Sequence, residues 1–401
     1  MTQHFDPLSL TDHNLVGYTI LQIVPELQSG GAERACVDIA AALSSAGARS
    51  LVASAGGRMV NELQAKGGIW TPFPAATKNP LKMALNISRL ARLLREEGVD
   101  LVHARSRAPA WVAYYAAQRA GVRFVTTYHS SYGAASPIKQ RYNAIMARGD
   151  VVIANSEYTS KRIREHYPAA SDRIAVIPRG IDLNKFTPTH VDSARVERLR
   201  QQWGVAAYER VLLMPARLSA RKGHETLIEG LKILLTNDAA KDLKVILAGD
   251  AHSRAFRKNL DSQIARAGLG AVMQCVGYCD DMPAAYLAAA CVVAPAIVPE
   301  AFGRVGVEAQ AMGAPVIISD IGAAPEIVRA PPDVPAHRTT GWRVPPANPE
   351  ALAQAITTVL SMKASARDLL SRQARDHAQA RFSVEKMQRA TLEVYARLLA
   401  L

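Results

Sequence analysis

Cysteine is scarce in this sequence, with four in 401 residues: Cys36, Cys275, Cys279 and Cys291. Each sits in an apolar or helical pattern, and Cys275 and Cys279 lack the two-residue gap and second ligand pair of a zinc site. A disulfide-stapled scaffold is therefore excluded, and buried, reduced thiols are expected. Aromatic residues are also few, at 6%. No dense basic arm or stripe interleaves them, which argues for no nucleic acid as partner. The longest uncharged run, MPAAYLAAACVVAPAIVP at 282–299, is cut by Pro283, Pro295 and Pro299. It reads as a helix followed by a short core strand rather than a membrane span. The opening MTQHFDPLSLTDHNLVGY holds acids and no continuous apolar region, so no signal peptide is expected. Low-complexity tracts are missing, as are a GxGxxG fingerprint and an Asp-x-Asp metal motif.

The sequence does have positive charge and rhythm. The formal charge is +13 and the pI about 9.7, spread over both halves, so something acidic is expected nearby; with nucleic acid argued against, phosphorylated substrate or anionic lipid remain. From Tyr18, apolar runs of strand length alternate with amphipathic runs: YTILQIVP, then AERACVDIAAALSSAG, ARSLVASA, PLKMALNISRLARLLREEG, VDLVHA, RFVTTYH and VVIANS. IKQRYNAIMARG reads as one helix within this series. The stretch 178–205, with two prolines and a charged helix, reads as a linker. Alternation then resumes from RVLLMPAR through KVILAGD, VMQCVGY, CVVAPA and PVIISD. Strand–helix alternation of this kind predicts parallel sheets covered on both faces. The expectation is an α/β chain of two Rossmann-like domains facing across a cleft. Residues 1–190 form the first, 191–379 the second, and a last helix at 380–401 packs back on the first.

Open parallel sheets bind ligands at the carboxyl ends of their strands, and chemistry-bearing residues fall at those ends. In PARLSARKGHE, Arg217 and Lys222 precede a helix; a guanidinium fork, a mobile ammonium and a helix N-terminus together suit a diphosphate. Two solvated loop cations are the plain alternative. In PEAFGRVGVE at 299–308, Gly303 permits close backbone approach, and Glu308 can accept two hydrogen bonds from adjacent ribose hydroxyls. Glu300, before the turn, is free to face another part of the same ligand. Gly30 and Gly31, in SGGAER, allow backbone approach to an anion or sugar, though a lone Gly-Gly is a weak signal. His129 closes the strand RFVTTYH at a carboxyl edge, where a structural histidine is the alternative.

As a set, the E-x7-E element with PARLSARKG, ILAGD, PVIIS and APEIV resembles the retaining glycosyltransferases of family 4, of GT-B fold. The resemblance implies that Arg217 and Lys222 bind the donor diphosphate, Glu308 the ribose, and Glu300 the transferred sugar. It implies that the turn Phe302, Gly303, Arg304 and Val305 offers backbone amides to sugar and phosphate. Gly30 and Gly31 match the first-half glycine loop, His129 a histidine on the donor sugar, and Gly277 and Tyr278 the cradle of the base. Ala216, Arg179 and the Ala323-Ala324 pair depart from the family pattern. The implied activity is hexosyl transfer from a nucleotide-diphosphate sugar to a saccharide or lipid-linked acceptor such as a lipopolysaccharide core. Retention of configuration, no metal and no cofactor go with it. A dinucleotide-dependent oxidoreductase and a non-catalytic nucleotide-sugar-binding protein are the alternatives. Leu81, Leu85, Leu93 and Leu94 among Lys82, Arg89, Arg92 and Arg95 allow ordinary helix packing or contact with an anionic membrane. A cytoplasmic enzyme visiting the inner membrane is the corresponding expectation.

Overall fold

The computed structural model describes residues 15–28, 30–129, 136–236, 242–251 and 253–399. The opening segment read for a signal peptide, apart from 15–18, lies outside the described residues, as does Ser29 of the glycine loop. The chain divides into two compact units, Met1–Gly180 with Val384–Leu401, and Ile181–Ser383.

The first unit runs β1 (Thr19–Ile23), α1 (Gly31–Ser45), β2 (Arg49–Ser54), α2 (Val60–Ala65), β3 (Ile69–Pro72) and α3 (Pro80–Glu96). It continues through β4 (Leu101–Ala104), α4 (Arg107–Ala120), β5 (Arg123–Tyr128), α5 (Pro137–Asn143), β6 (Val151–Ala154), α6 (Glu157–His166) and β7 (Ile174–Val176). Its strands pair in parallel in the order β3-β2-β1-β4-β5-β6-β7. Alternate residues feed different cores: Leu21 and Ile23 pack with Val102 and α3–α4 side chains, whereas Ile20 and Leu101 pack with α1. Burial on both faces is why these strands read as nearly unbroken apolar runs.

The second unit holds α7 (Ser193–Gln202), β8 (Arg210–Pro215), α8 (His224–Leu234), β9 (Leu243–Ala248), α9 (Arg254–Arg266), β10 (Met273–Gly277) and α10 (Met282–Ala288). Then come β11 (Ala289–Ala294), α11 (Arg304–Ala311), β12 (Val316–Ser319), α12 (Ala324–Ile327), β13 (Trp342–Val344), α13 (Pro349–Leu360) and α14 (Ala364–Arg381). Its parallel order is β10-β9-β8-β11-β12-β13. The last helix, α15 (Val384–Leu399), belongs to the first unit, where Leu392 and Tyr395 pack in the α1-side core. In each sheet the strand order reverses at one point, between β1 and β4 and between β8 and β11, where a doubly wound fold opens a crevice.

The structure corrects the reading in five places. The stretch 178–205 is mostly not a linker: Ile181, Phe186, Leu199, Trp203 and Val205 are core residues of the second unit. The unit boundary accordingly falls at Gly180, ten residues before the expected one. The helix over IKQRYNAIMARG breaks after Asn143 into a 3-10 turn, Ala144–Ala147, that buries Ile145 and Met146. Strands β3, β7 and β13, with helices α2 and α6, were unforeseen, because three or four half-buried residues carry little periodicity. All four cysteines are free, but Cys275 is only half-buried. No helix among the described residues is long and apolar enough to cross a membrane.

Candidate functional site

In the second unit, the loops leaving β8 and β11 meet at the switch point. Leu218 N–H donates to the Asp250 carbonyl (2.9 Å), holding the loop after β8 along the end of β9. Gly223 then turns with φ +78°, and a Cβ there would lie 1.8 Å from the Pro295 carbonyl oxygen. Only glycine permits that approach. Ile297 N–H closes it by donating to the Arg221 carbonyl (3.0 Å). The result carries Lys222 onto Glu300, 78 residues away, as an ion pair. Glu300 is fixed from behind, since its carbonyl accepts from Ala323 N–H (3.0 Å) and it bridges Gly322.

Gly303, at φ +95°, caps the N-terminus of α11. One turn in, Glu308 is only 7% exposed, and both its oxygens are engaged: Tyr286 Oη–H donates to Oε2 (2.8 Å) and Arg304 Nη2 to Oε1 (2.6 Å). A buried carboxylate requires such compensation. Burial, and then the Glu308 charge, push the Tyr286 hydroxyl well above its usual pKa, so it remains a donor. The Phe302 ring is core, set edge-on to Phe382 at 5.6 Å, which leaves its backbone for the site. Phe302, Gly303 and Val305 line one small pocket with Glu300, Gly306 and Ser319. Arg217 is exposed beyond the end of β8. Gly277, at φ +77°, ends β10 and accepts from Gly249 N–H (2.7 Å), and Tyr278 beside it is 53% exposed. Arg304, expected to act through its amide, also holds Glu308 with its side chain. Among the described residues no three His, Cys, Asp or Glu side chains gather as a metal-ligand set.

In the first unit, Gly30 and Gly31 open α1 after β1. The Gly30 amide is already used, donating to Glu33 Oε2 (2.6 Å). Gly31 makes room for a guanidinium: a Cβ there would sit 2.2 Å from Arg179 Nη1. Arg179 Nη2 in turn donates to His129 Nδ1 (2.5 Å). Burial, with the charges of Arg179 and Arg105, drives the His129 pKa well below the usual histidine range. The ring is therefore neutral, with its proton on Nε2.

The fold thus brings Lys222, Glu300, Phe302, Gly303, Arg304, Val305 and Glu308 together in one unit, and Gly30, Gly31 and His129 in the other. Sequence reasoning missed Tyr286, which hides in an apolar helix 22 residues from its carboxylate. It passed over Arg105, and treated Arg179 only as a departure. A cation closing an otherwise apolar strand, as in LVHAR, was the available signal.

Comparison with known proteins gives the family. Residues 29–185 match the family described as Glycosyltransferase Family 4, and residues 195–377 match Glycosyl transferases group 1. A D-inositol 3-phosphate glycosyltransferase from Geodermatophilus obscurus is 30% identical over 339 residues, covering 79% of this chain and 71% of that one. A Corynebacterium glutamicum protein of the same description is matched over half its length. The crystal structure of a glycosyltransferase from Rickettsia africae superposes with a TM-score of 0.84 at 33% identity, covering 95% of this chain and 98% of that one. Anabaena HepE in complex with UDP and glucose gives 0.83 at 26% identity, covering 95% and 100%. The chain belongs to the family 4, group 1 glycosyltransferases, with two Rossmann-like domains of the GT-B kind.

Proposed function

We propose that this glycosyltransferase moves a hexosyl group from a nucleotide-diphosphate sugar to a saccharide or lipid-linked acceptor, with retention and without a metal. The carrying observation is the pairing of each site carboxylate with a cation, Glu300 with Lys222 and Glu308 with Arg304. A diphosphate competes for both cations. Binding it would draw Lys222 from Glu300 and free that carboxylate for sugar hydroxyls, while Glu308, still held by Tyr286, turns a lone pair to the ribose. Arg217 would complete the grip on the diphosphate, and Gly277 with Tyr278 would cradle the base.

As the glycosidic C–O bond breaks, negative charge collects on the leaving diphosphate. Fixed cations and the α11 amides would stabilise that charge more in the transition state than before it. Gly30, Gly31 and His129 would serve the donor from the first unit, the two glycines by leaving room beside them. The HepE complex with UDP and glucose supports the donor class, and the family assignment disfavours an oxidoreductase. An acceptor such as a lipopolysaccharide core, reached by a cytoplasmic enzyme at the inner membrane, is favoured by α3, whose Leu81 and Leu85 are 78% and 62% exposed beside Lys82 and Arg89. Melting the protein against a panel of nucleotide sugars tests the reading, because a ligand selective for the folded form raises the midpoint. A panel in which only NAD stabilises the protein would refute it.

A further inference from the structure

Arg105 is a buried cation with no counter-charge among the described residues. It follows β4, its amide bonded to the Ile23 carbonyl at the end of β1 (3.1 Å), so it stands at the first sheet's switch point. It is 3% exposed. Its Nε donates to Gln22 Oε1 (2.7 Å), a neutral acceptor, and Nη2 is buried with no partner among the described residues. It also hydrogen-bonds the Cys36 thiol and the Tyr395 hydroxyl and lies near the imidazoles of His103 and His129, none of them an anion. Among the described residues no carboxylate pairs with it. Glu33, the acid at the start of α1, turns to the Gly30 amide instead.

A second orphan lies beside it. His129 Nε2, which carries the ring proton because Nδ1 accepts from Arg179, is equally buried and without a partner among the described residues. Two guanidinium groups thus flank the His129 imidazole, and Gly31 leaves the space that Arg179 occupies. Burying a charge unpaired is costly, and leaving donors unmade adds to that cost. An anion from outside would offset both costs at once.

We infer that Arg105, His129 and Arg179 form an oxyanion site in the first unit, taking a phosphate or carboxylate group of the substrates. Its residues follow strands of the first sheet, whereas Arg217 and Lys222 follow a strand of the second. The choice of ligand rests on the transferase reading. Two substrates could supply the group: the donor, through its diphosphate, or an acceptor that itself carries an anionic group.

Inorganic phosphate is the probe, titrated into the full chain in chloride buffer at fixed ionic strength, with the melting midpoint as readout. Lys222→Met removes much of the second unit's phosphate grip. In that background phosphate is expected to raise the midpoint, and Arg105→Met to abolish the rise. Gly31→Ala, which displaces the Arg179 guanidinium while keeping every charge, is expected to weaken the response several-fold. Without phosphate, Arg105→Met should melt at or above the wild-type temperature, since it removes an uncompensated charge. Repeating the titration on the wild type saturated with UDP separates the sources. A surviving, Arg105-dependent response assigns the site to the acceptor, and a response lost to UDP assigns it to the donor diphosphate. A phosphate response indifferent to Arg105→Met, no response in the Lys222→Met protein, or an Arg105→Met chain melting well below wild type would each overturn the inference. Failure of the transferase reading shows separately, as a chain that answers phosphate but no nucleotide sugar.

Discussion

Glu308 shows how much depends on a single atom at the residue scale. Tyr286 and Arg304 each give it one hydrogen bond, so Tyr286→Phe removes one donor without changing shape. Leaving a buried carboxylate oxygen short costs roughly 1–3 kcal/mol, and the expected result is a lower unfolding midpoint with weaker donor binding. Glu308→Gln should keep the fold and lose donor affinity, read by titrating UDP. Lys222→Met should fold normally and lose on the order of a hundredfold in kcat, the scale of one removed transition-state donor. An unchanged kcat in a single-turnover assay would remove Lys222 from the chemistry. Histidines give a further residue-level test. Burial holds His224 and His377 neutral, with pKa values of about 4. Above pH 6.5 both are neutral in folded and unfolded chains alike. Below it the unfolded chain takes up protons that the folded chain refuses, so stability falls as pH drops toward 4. At pH 5 the loss is about 2 kcal/mol per histidine. His377→Gln, which keeps a donor to the Ile327 carbonyl, should flatten part of that slope in urea unfolding at pH 7.5 and 5. At this scale the E-x7-E pair and Lys222 were legible because their spacing is itself the signal. Tyr286 and Arg105 were not, since partners joined by the fold leave no mark in local order.

At the scale of elements, glycine decides whether two loops meet. Gly223→Ala would place a Cβ against the Pro295 carbonyl at a left-handed backbone position. The loops after β8 and β11 must then part, and Lys222 leaves Glu300. Loss of transfer together with destabilisation of roughly 2 kcal/mol or more is expected. Near-normal turnover in a folded Gly223→Ala protein would show that the approach is dispensable. Helix α3 carries the membrane question. Asn79 caps it and Leu90, Ala91 and Leu94 bury its far end, so Leu81 and Leu85 are not needed to hold it down. Leu81→Ser with Leu85→Ser should therefore leave melting unchanged while abolishing sedimentation with anionic vesicles. Wild-type protein that ignores vesicle charge ends the membrane proposal. Long strands and helices declared themselves through periodicity. The edge strands β3, β7 and β13 did not, because pairing along one side leaves them too few buried positions to make a pattern.

At the scale of the whole molecule, the alternation of strand and helix made the two parallel sheets readable, since each apolar run must be covered on both faces. The stretch 178–205 was misread because prolines and charge mask five core residues that are separated by polar ones. The chain's path returns at its end: α15 lies in the first unit, where Tyr395 Oη meets His103 Nδ1 at 2.5 Å across 292 residues. Its Val384, Met387, Leu392 and Val394 share a core with Ile20, Ile39 and Leu43. Removing residues after Ser383 would uncover that core and strand the buried His103, whose pKa burial already holds well below the usual range. Hydrogen exchange distinguishes a local from a global role. Amides of β1, β4 and β5 should lose protection in the truncated chain, while those of β8, β9 and β11 keep theirs and still gain protection from UDP. Equal loss in both sheets would mean that the two units unfold as one, because separate cores can open separately only if each holds its own share of the stability.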